Sequence, residues 1–249
     1  MFDPAIVALL LAAAFFAGAL NAVAGGGSFL TLPALIAAGV PPVAANATGT
    51  VALLPGYASG AWGFRHDLKP VEGTGLVALS LVSLGGGLIG ALLLLATPND
   101  LFRAIVPWLL LAATALFAVG EHLSVALRRT GAHGRGPMLA GLFVVSIYGG
   151  YFNGGLGILL LAHLALFGLT DLNAMNGLKN VLSAVLTAIA VAAYAIGGAV
   201  HWAEAGLMTI AAIAGGYAGA RVARRIPKKV LRAGIVLVGI TMAVLFFLN

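Results

Sequence analysis

The chain has no cysteine, and only 8% of its 249 residues are charged. The first absence excludes disulfides and thiolate metal sites without naming a compartment. The second excludes an ordinary soluble domain, in which about a quarter of the residues are charged. With 61% of the residues hydrophobic, the chain could not clothe a water-facing surface, so the bilayer must be the solvent for most of its outside. Acidic residues are missing from the apolar stretches. All seven (Asp3, Asp67, Glu72, Asp100, Glu121, Asp171 and Glu204) lie in or beside loops. No carboxylate is therefore placed mid-membrane to bind Na⁺ or relay protons. No Ser–His–Asp arrangement, metal cluster or phosphate loop is convincing, so the sequence points to no enzyme and calls for no metal or cofactor.

Glycine, by contrast, is abundant at 35 residues. Small residues let helices approach closely where lipid provides no hydrophobic drive. The net charge of +6 would suit a nucleic-acid partner, but the basic residues sit in loops between apolar segments, as membrane topology requires. The N-terminus has no basic region followed by a small-residue cleavage site, and it reads as a first membrane helix and not as a removed signal.

Three stretches of the first half are long enough to span, at 43–64, 71–96 and 101–120, since a span needs about 20 residues. Before them, 5–38 is apolar but interrupted by Gly25-Gly26-Gly27 and ended by Gly39-Val40-Pro41-Pro42. The piece from Ser28 to Ala38 is too short to cross alone. Such a half-helix is tolerated at membrane depth only where it is buried in protein or lines a cavity. A polar linker, 121–136, precedes a second half of the same design: 137–153, a break at Gly154-Gly155, a short piece to Phe167-Gly168, then spans at 174–197, 203–222 and 230–248.

The two halves match at a shift of about 130 positions: Gly25 and Gly27 with Gly155 and Gly157, and Asn46 with Asn176. Gly86-Gly87 and Gly90-Ala91 match Gly215-Gly216 and Gly219-Ala220, and Pro98 and Arg103 match Pro227 and Arg232. This is an internal duplication, with 1–120 as the first transmembrane repeat and 137–249 as the second. If each broken hairpin enters and leaves on one side, Arg65, Lys69, Arg128, Arg129, Arg135 and the run Arg221, Arg224, Arg225, Lys228, Lys229, Arg232 share a face. Only Arg103 falls opposite. The positive-inside rule then makes that face, with linker 121–136, cytoplasmic. Matched loops 65–70 and 201–204 lie on opposite faces, and both termini are external. The expected fold is all-α integral membrane: two inverted-topology repeats, each a glycine-broken helical hairpin plus three transmembrane helices. Re-entrant and fully crossing hairpins satisfy the same parity.

Inverted repeats with broken helices are the sequence signature of secondary transporters, with the site near the midplane where the repeats meet. A helix that starts after a glycine turn aims free N–H groups and a positive dipole end at whatever lies there. Ser28 and Thr31 open one such half-helix, Ile158 and Leu159 the other. A second constellation follows each break: Asn46, Gly49 and Thr50 correspond to Asn176, Lys179 and Asn180. Asn176, Lys179 or Asn180, Ser183 and Thr187 make a polar stripe on an otherwise apolar helix. Burying Lys179 costs about 2.5–3.5 kcal/mol on insertion scales, which favours a compensating anion. The competing reading is snorkelling, because Lys179 starts only about 8 Å into its helix. His163, alone on an apolar half-helix, reads more readily as structural than as a titrating switch.

The run Gly25-Gly26-Gly27-Ser28 to Pro33, with Gly39 and then Asn46-Ala47-Thr48-Gly49-Thr50, resembles the first signature of the TauE/SafE sulfite exporter family. Asn176-Gly177-Leu178-Lys179-Asn180 resembles its second. The resemblance covers the whole chain. It implies a permease of the bacterial inner membrane for sulfur-containing anions such as sulfite, thiosulfate or organosulfonates. The second break, Asn153-Gly154-Gly155-Leu156-Gly157, is less glycine-dense than the first, which tells against exact symmetry of the two half-sites.

The expected substrate-binding residues are Gly25, Gly26, Gly27, Ser28, Asn46, Thr50, Gly155, Gly157, Asn176, Lys179 and Asn180. In the sharpest form of the reading, Lys179, Asn176, Asn180 and Thr50 hold the anion, and Gly49 leaves room for it. The partners expected are a small anion and lipid, with no nucleic acid; self-association is left open. A carrier is favoured over an anion channel or a scaffold of the same architecture.

Overall fold

The computed structural model describes residues 3–23, 25–128, 134–223 and scattered positions between 233 and 247. About half of the expected span 230–248 falls outside them, and its described positions are helical. Arg129, His133 and the basic positions 224–232, on which much of the charge argument rests, also fall outside them. Among the described residues the fold is all helical, with a single isolated bridge between Val71 and Thr74. The order is α1 (Pro4–Val23), α2 (Ser28–Ala37), α3 (Pro42–Gly63), α4 (Leu76–Ala96), α5 (Asn99–Arg128), α6 (Arg135–Tyr151), α7 (Leu156–Leu166), α8 (Leu172–Ile196) and α9 (Trp202–Ala223). Among the described residues, α1, α4 and α8 are long and apolar enough to cross a bilayer, and α2 and α7 are the short apolar pieces.

Two boundaries differ from the sequence expectation. The stretch expected at 71–96 begins at Leu76, because Glu72 and Gly73 both take positive φ, 48° and 67°, in a tight turn closed by Val71 and Thr74. The stretch expected to end at 120 continues helical to Arg128, and α6 starts at Arg135. The first part of the expected linker, 121–128, is thus helix extension, since its Glu, Leu, Ala and Arg residues favour helix whether or not lipid surrounds them.

Helix α4 shows how the packing works. Leu79, Ser83, Gly86, Gly87, Gly90 and Leu94 are buried, while Val77, Leu81, Leu88 and Leu92 are exposed. Large apolar residues face outward and small ones face the protein, the inverse of a water-soluble helix. The duplicated glycines sit at the closest crossings. A Cβ on Gly90 would lie 2.1 Å from the Ile147 carbonyl oxygen of α6, and one on Gly150 would lie 2.2 Å from the Gly87 oxygen. The matching helices α9 and α1 cross in the same way, since a Cβ on Gly215 would lie 1.8 Å from the Phe15 oxygen. So α4 packs on α6, and α9 on α1, with backbones in contact.

Helices α3 and α8, matched through Asn46 and Asn176, pack against each other and run antiparallel. Thr48 Oγ1 accepts from the His201 N–H at 3.0 Å. Further along, Gly60 lies against the Asn180 side chain and Gly177 against Phe64. At the far end Lys69 pairs with Asp171 at 2.5 Å.

Candidate functional site

Both expected breaks are present, and each has a local cause. Gly25 and Gly155 take left-handed φ values of 81° and 73°, and Asn153 takes 60°. Glycine reaches that region without a Cβ clash, and Asn tolerates it better than most residues. Helices α2 and α7 then start afresh from N-caps Gly27 and Gly155, neither of which has a side-chain cap. Within these first turns the Phe29 and Leu30 N–H groups turn back to the Gly26 and Gly27 oxygens at 3.1 Å, and the Leu156 and Ile158 N–H groups to the Asn153 and Gly155 oxygens at 3.3 and 3.0 Å, so it is the positive end of each helix that faces the break.

The two breaks meet. A Cβ on Gly25 would sit 2.7 Å from the Gly157 Cα. Gly27 is equally tight, since a Cβ there would lie 2.8 Å from the Ala17 carbonyl oxygen and 3.1 Å from the Leu53 methyls. Gly26 has more room, its nearest neighbour being the Phe29 ring at 3.4 Å. At the second break, side chains from three helices hold the end of α6. The Asn46 amide of α3 donates to the Tyr151 oxygen at 3.0 Å, and Tyr148 donates to the Gly154 oxygen at 2.5 Å. The Tyr57 hydroxyl donates to Asn153 Oδ1 at 3.1 Å, and the Tyr194 hydroxyl donates to the Gly150 oxygen.

Around this junction several buried polar atoms have no hydrogen-bond partner: Asn21 Oδ1, Ser28 Oγ, Thr31 Oγ1, Asn46 Oδ1 and Asn153 Nδ2. Native interiors satisfy most such groups, and an orphaned atom costs about 1–3 kcal/mol. These atoms lie beside the two helix starts, neither of which has a side-chain cap.

Lys179 is 1% exposed, and no carboxylate pairs with it among the described residues. Snorkelling would have left its tip exposed, so burial decides against that reading. Asn180 is buried, while Asn176 is half-buried. Ser183 and Thr187, further along the stripe, are fully buried with unpartnered hydroxyls.

Two expected placements are corrected. Gly49 does not make room for Lys179; a Cβ there would lie 2.8 Å from Thr31 Oγ1, so its role is to admit α2. Thr50 does not join Lys179 either. Its hydroxyl donates to the Asn46 carbonyl oxygen at 2.7 Å. The antiparallel register places Asn180 beside Gly60, about 15 Å along α3 from Thr50. His163 is structural, as expected, with Nε2 3.0 Å from the Met138 oxygen and its ring against Phe167. Tyr57, Tyr148, Tyr194, Asn21 and Asn153 were not singled out from the sequence. Buried polar residues inside apolar segments, and an Asn before a Gly pair, were the available signals.

The model of the sulfite exporter TauE/SafE family matches residues 10–246. The chain belongs to this family. A probable membrane transporter protein, ORF9, from a Sinorhizobium species is 30% identical over 96% of this chain and 91% of its own length. The probable membrane transporter YfcA of Escherichia coli K12 is 29% identical over 98% of this chain and 90% of its own. A probable membrane transporter of Haemophilus influenzae is 27% identical over 95% and 92%. No solved structure matches the chain. Family membership and the apolar helices make this a multi-pass membrane protein of a transporter family.

Proposed function

We propose that the protein is a permease that moves small sulfur-containing anions, such as sulfite, thiosulfate or organosulfonates, by alternating access. Its site is the junction of the two broken hairpins. Gly25, Gly26, Gly27, Ser28, Asn46, Gly155 and Gly157 line that junction in this reading, while Asn176, Lys179 and Asn180 supply amides and positive charge along α8. The observation that carries it is the meeting of Gly25 and Gly157 beside buried, unpartnered polar atoms. Two helix N-termini there favour an anion, and the buried cation Lys179 favours one as well.

The same reading makes the halves inverted repeats. In support, the matched helices α3 and α8 run antiparallel, and the pairs α1 with α9 and α4 with α6 exchange under the duplication. A two-fold axis along the membrane normal would have left matched helices parallel. The 65–70 loop is then cytoplasmic, the 201–204 loop and both termini are external, and the membrane is the bacterial inner membrane.

Two measurements test this. The chain has no native cysteine, so single cysteines at His66 and Ala203 can be labelled with an impermeant thiol reagent. Labelling from opposite faces is expected, and labelling from the same face would sink the inverted arrangement. Purified protein is then screened by thermal shift against sulfite, sulfate, thiosulfate, sulfoacetate and taurine. A substrate at about a hundred times its Kd stabilises by about 2.7 kcal/mol. Counterflow in proteoliposomes separates a carrier from a channel, and a protein that no anion stabilises would favour the scaffold.

A further inference from the structure

We propose that Lys179, Ser183 and Thr187 of α8 form an oxyanion path that leads into the junction from the side that carries Lys69 and Asp171. The inference rests on the junction reading and adds a one-sided approach to it. The three residues recur every fourth position, so they share a helix face and cover about 12 Å of its length. All three are buried, and both hydroxyls lack partners. A structural hydroxyl in an apolar helix usually donates to the carbonyl one turn back, as Thr50 and Ser146 do here at 2.7 Å. Ser183 and Thr187 do not.

The α3 copy of this line is closed. Its matched positions are Gly49, Leu53 and Tyr57. Thr31 stands against Gly49, Leu53 packs on Gly27, and the Tyr57 hydroxyl is committed to Asn153. The antiparallel register puts the start of α8 on the Lys69 face, because Asp171 caps α8 and pairs with Lys69. Of the three residues, Lys179 is therefore the nearest to that face, and Thr187 is the farthest from it, next to Leu186, which packs on Gly149. An oxyanion with three or more acceptor oxygens can take the ammonium and then a hydroxyl without crossing apolar surface. On the α3 side no equivalent stepping line exists, so the anion meets the junction directly.

The test uses the full chain in proteoliposomes, with sulfite presented at one face at a time. Lys179→Gln is expected to raise half-saturation about tenfold or more at the Lys69 face, the loss of one charged hydrogen bond, with little change at the other face. The pair Ser183→Ala and Thr187→Val, which should fold normally, is expected to raise it several-fold at the same face only. An equal rise at both faces would merge Lys179 with the junction, and unchanged half-saturation in both variants would make the stripe structural. Either result overturns the one-sided path. Full flux in Gly155→Leu would instead count against the junction itself.

Discussion

The two broken hairpins reach the same turn by different chemistry. At the first, three consecutive glycines let backbones touch: Gly25 lies against Gly157, and Gly27 lies against Ala17 and Leu53. At the second, fewer glycines are used, and hydroxyls and amides from α3, α6 and α8 take up the carbonyls at the end of α6. A duplicated motif therefore diverged into a close-packed copy and a hydrogen-bonded copy. What both retain is the left-handed glycine and the uncapped helix start after it. Those shared features are the ones the proposed site uses, and the differing ones hold each hairpin.

The largest effect should come from the shared feature. Gly25→Leu and Gly155→Leu are each expected to abolish transport, since both positions have positive φ and a Cβ on Gly25 meets Gly157. Flux assays on reconstituted protein check this. Wild-type rates in one variant and loss in the other would show that the hairpins are not functional equivalents.

Next come the crossings that clamp the hairpins. Gly90→Val and Gly215→Val put side chains against backbone oxygens at 2.1 and 1.8 Å. Overpacking of this kind costs about 1–3 kcal/mol, occasionally more. Both variants should melt well below wild type in detergent, and by similar amounts if α4–α6 and α9–α1 carry equal weight.

A smaller effect of opposite sign separates the matched positions 57 and 187. Tyr57→Phe removes the donor to Asn153 and should destabilise by about 1 kcal/mol or somewhat more. Thr187→Val removes a buried hydroxyl that has no partner, so the melting temperature should hold or rise while sulfite transport weakens. A stable, fully active Thr187→Val protein would remove any functional meaning from that contrast.

The smallest effect is at the exposed end of the α3–α8 pair. Lys69 holds the Asp171 carboxyl below the usual carboxylate range, helped by the Ala174 and Asn173 N–H groups at the start of α8. A depressed carboxylate contributes stability that is present above its unfolded pKa and lost as pH falls through its folded pKa. In Lys69→Met the Asp171 titration should move up toward the ordinary carboxylate range, and acid sensitivity at that end of α8 should change only slightly, because the pair is solvated. Carboxyl NMR of the solubilised protein reads the shift, and an unmoved titration would mean that the helix start alone sets it.

Among the described residues, the placement of helices was readable because composition and glycine position act locally. The breaks at 25–27 and 154–155, the short pieces after them and the paired glycines of α4 and α9 all lie where the sequence put them. Two boundaries, at Leu76 and Arg128, were less legible, since a glycine turn and continued helix propensity overrode hydropathy. The polar stripe on α8 was visible as a periodicity, and so was the anomaly of a lysine within it.

By itself the sequence determined the membrane class and the family, because each rests on residue type and spacing along one chain. Tertiary structure decided which residues meet. It brought Gly25 to Gly157, turned Gly49 toward Thr31, separated Thr50 from Lys179 and buried that lysine fully. These outcomes depend on the register between α3 and α8 and on how closely backbones approach, which are properties of pairs of helices. A polar residue in an apolar helix announces that it needs a partner, but only the packed neighbours fix whether the protein supplies one or leaves that place to an anion.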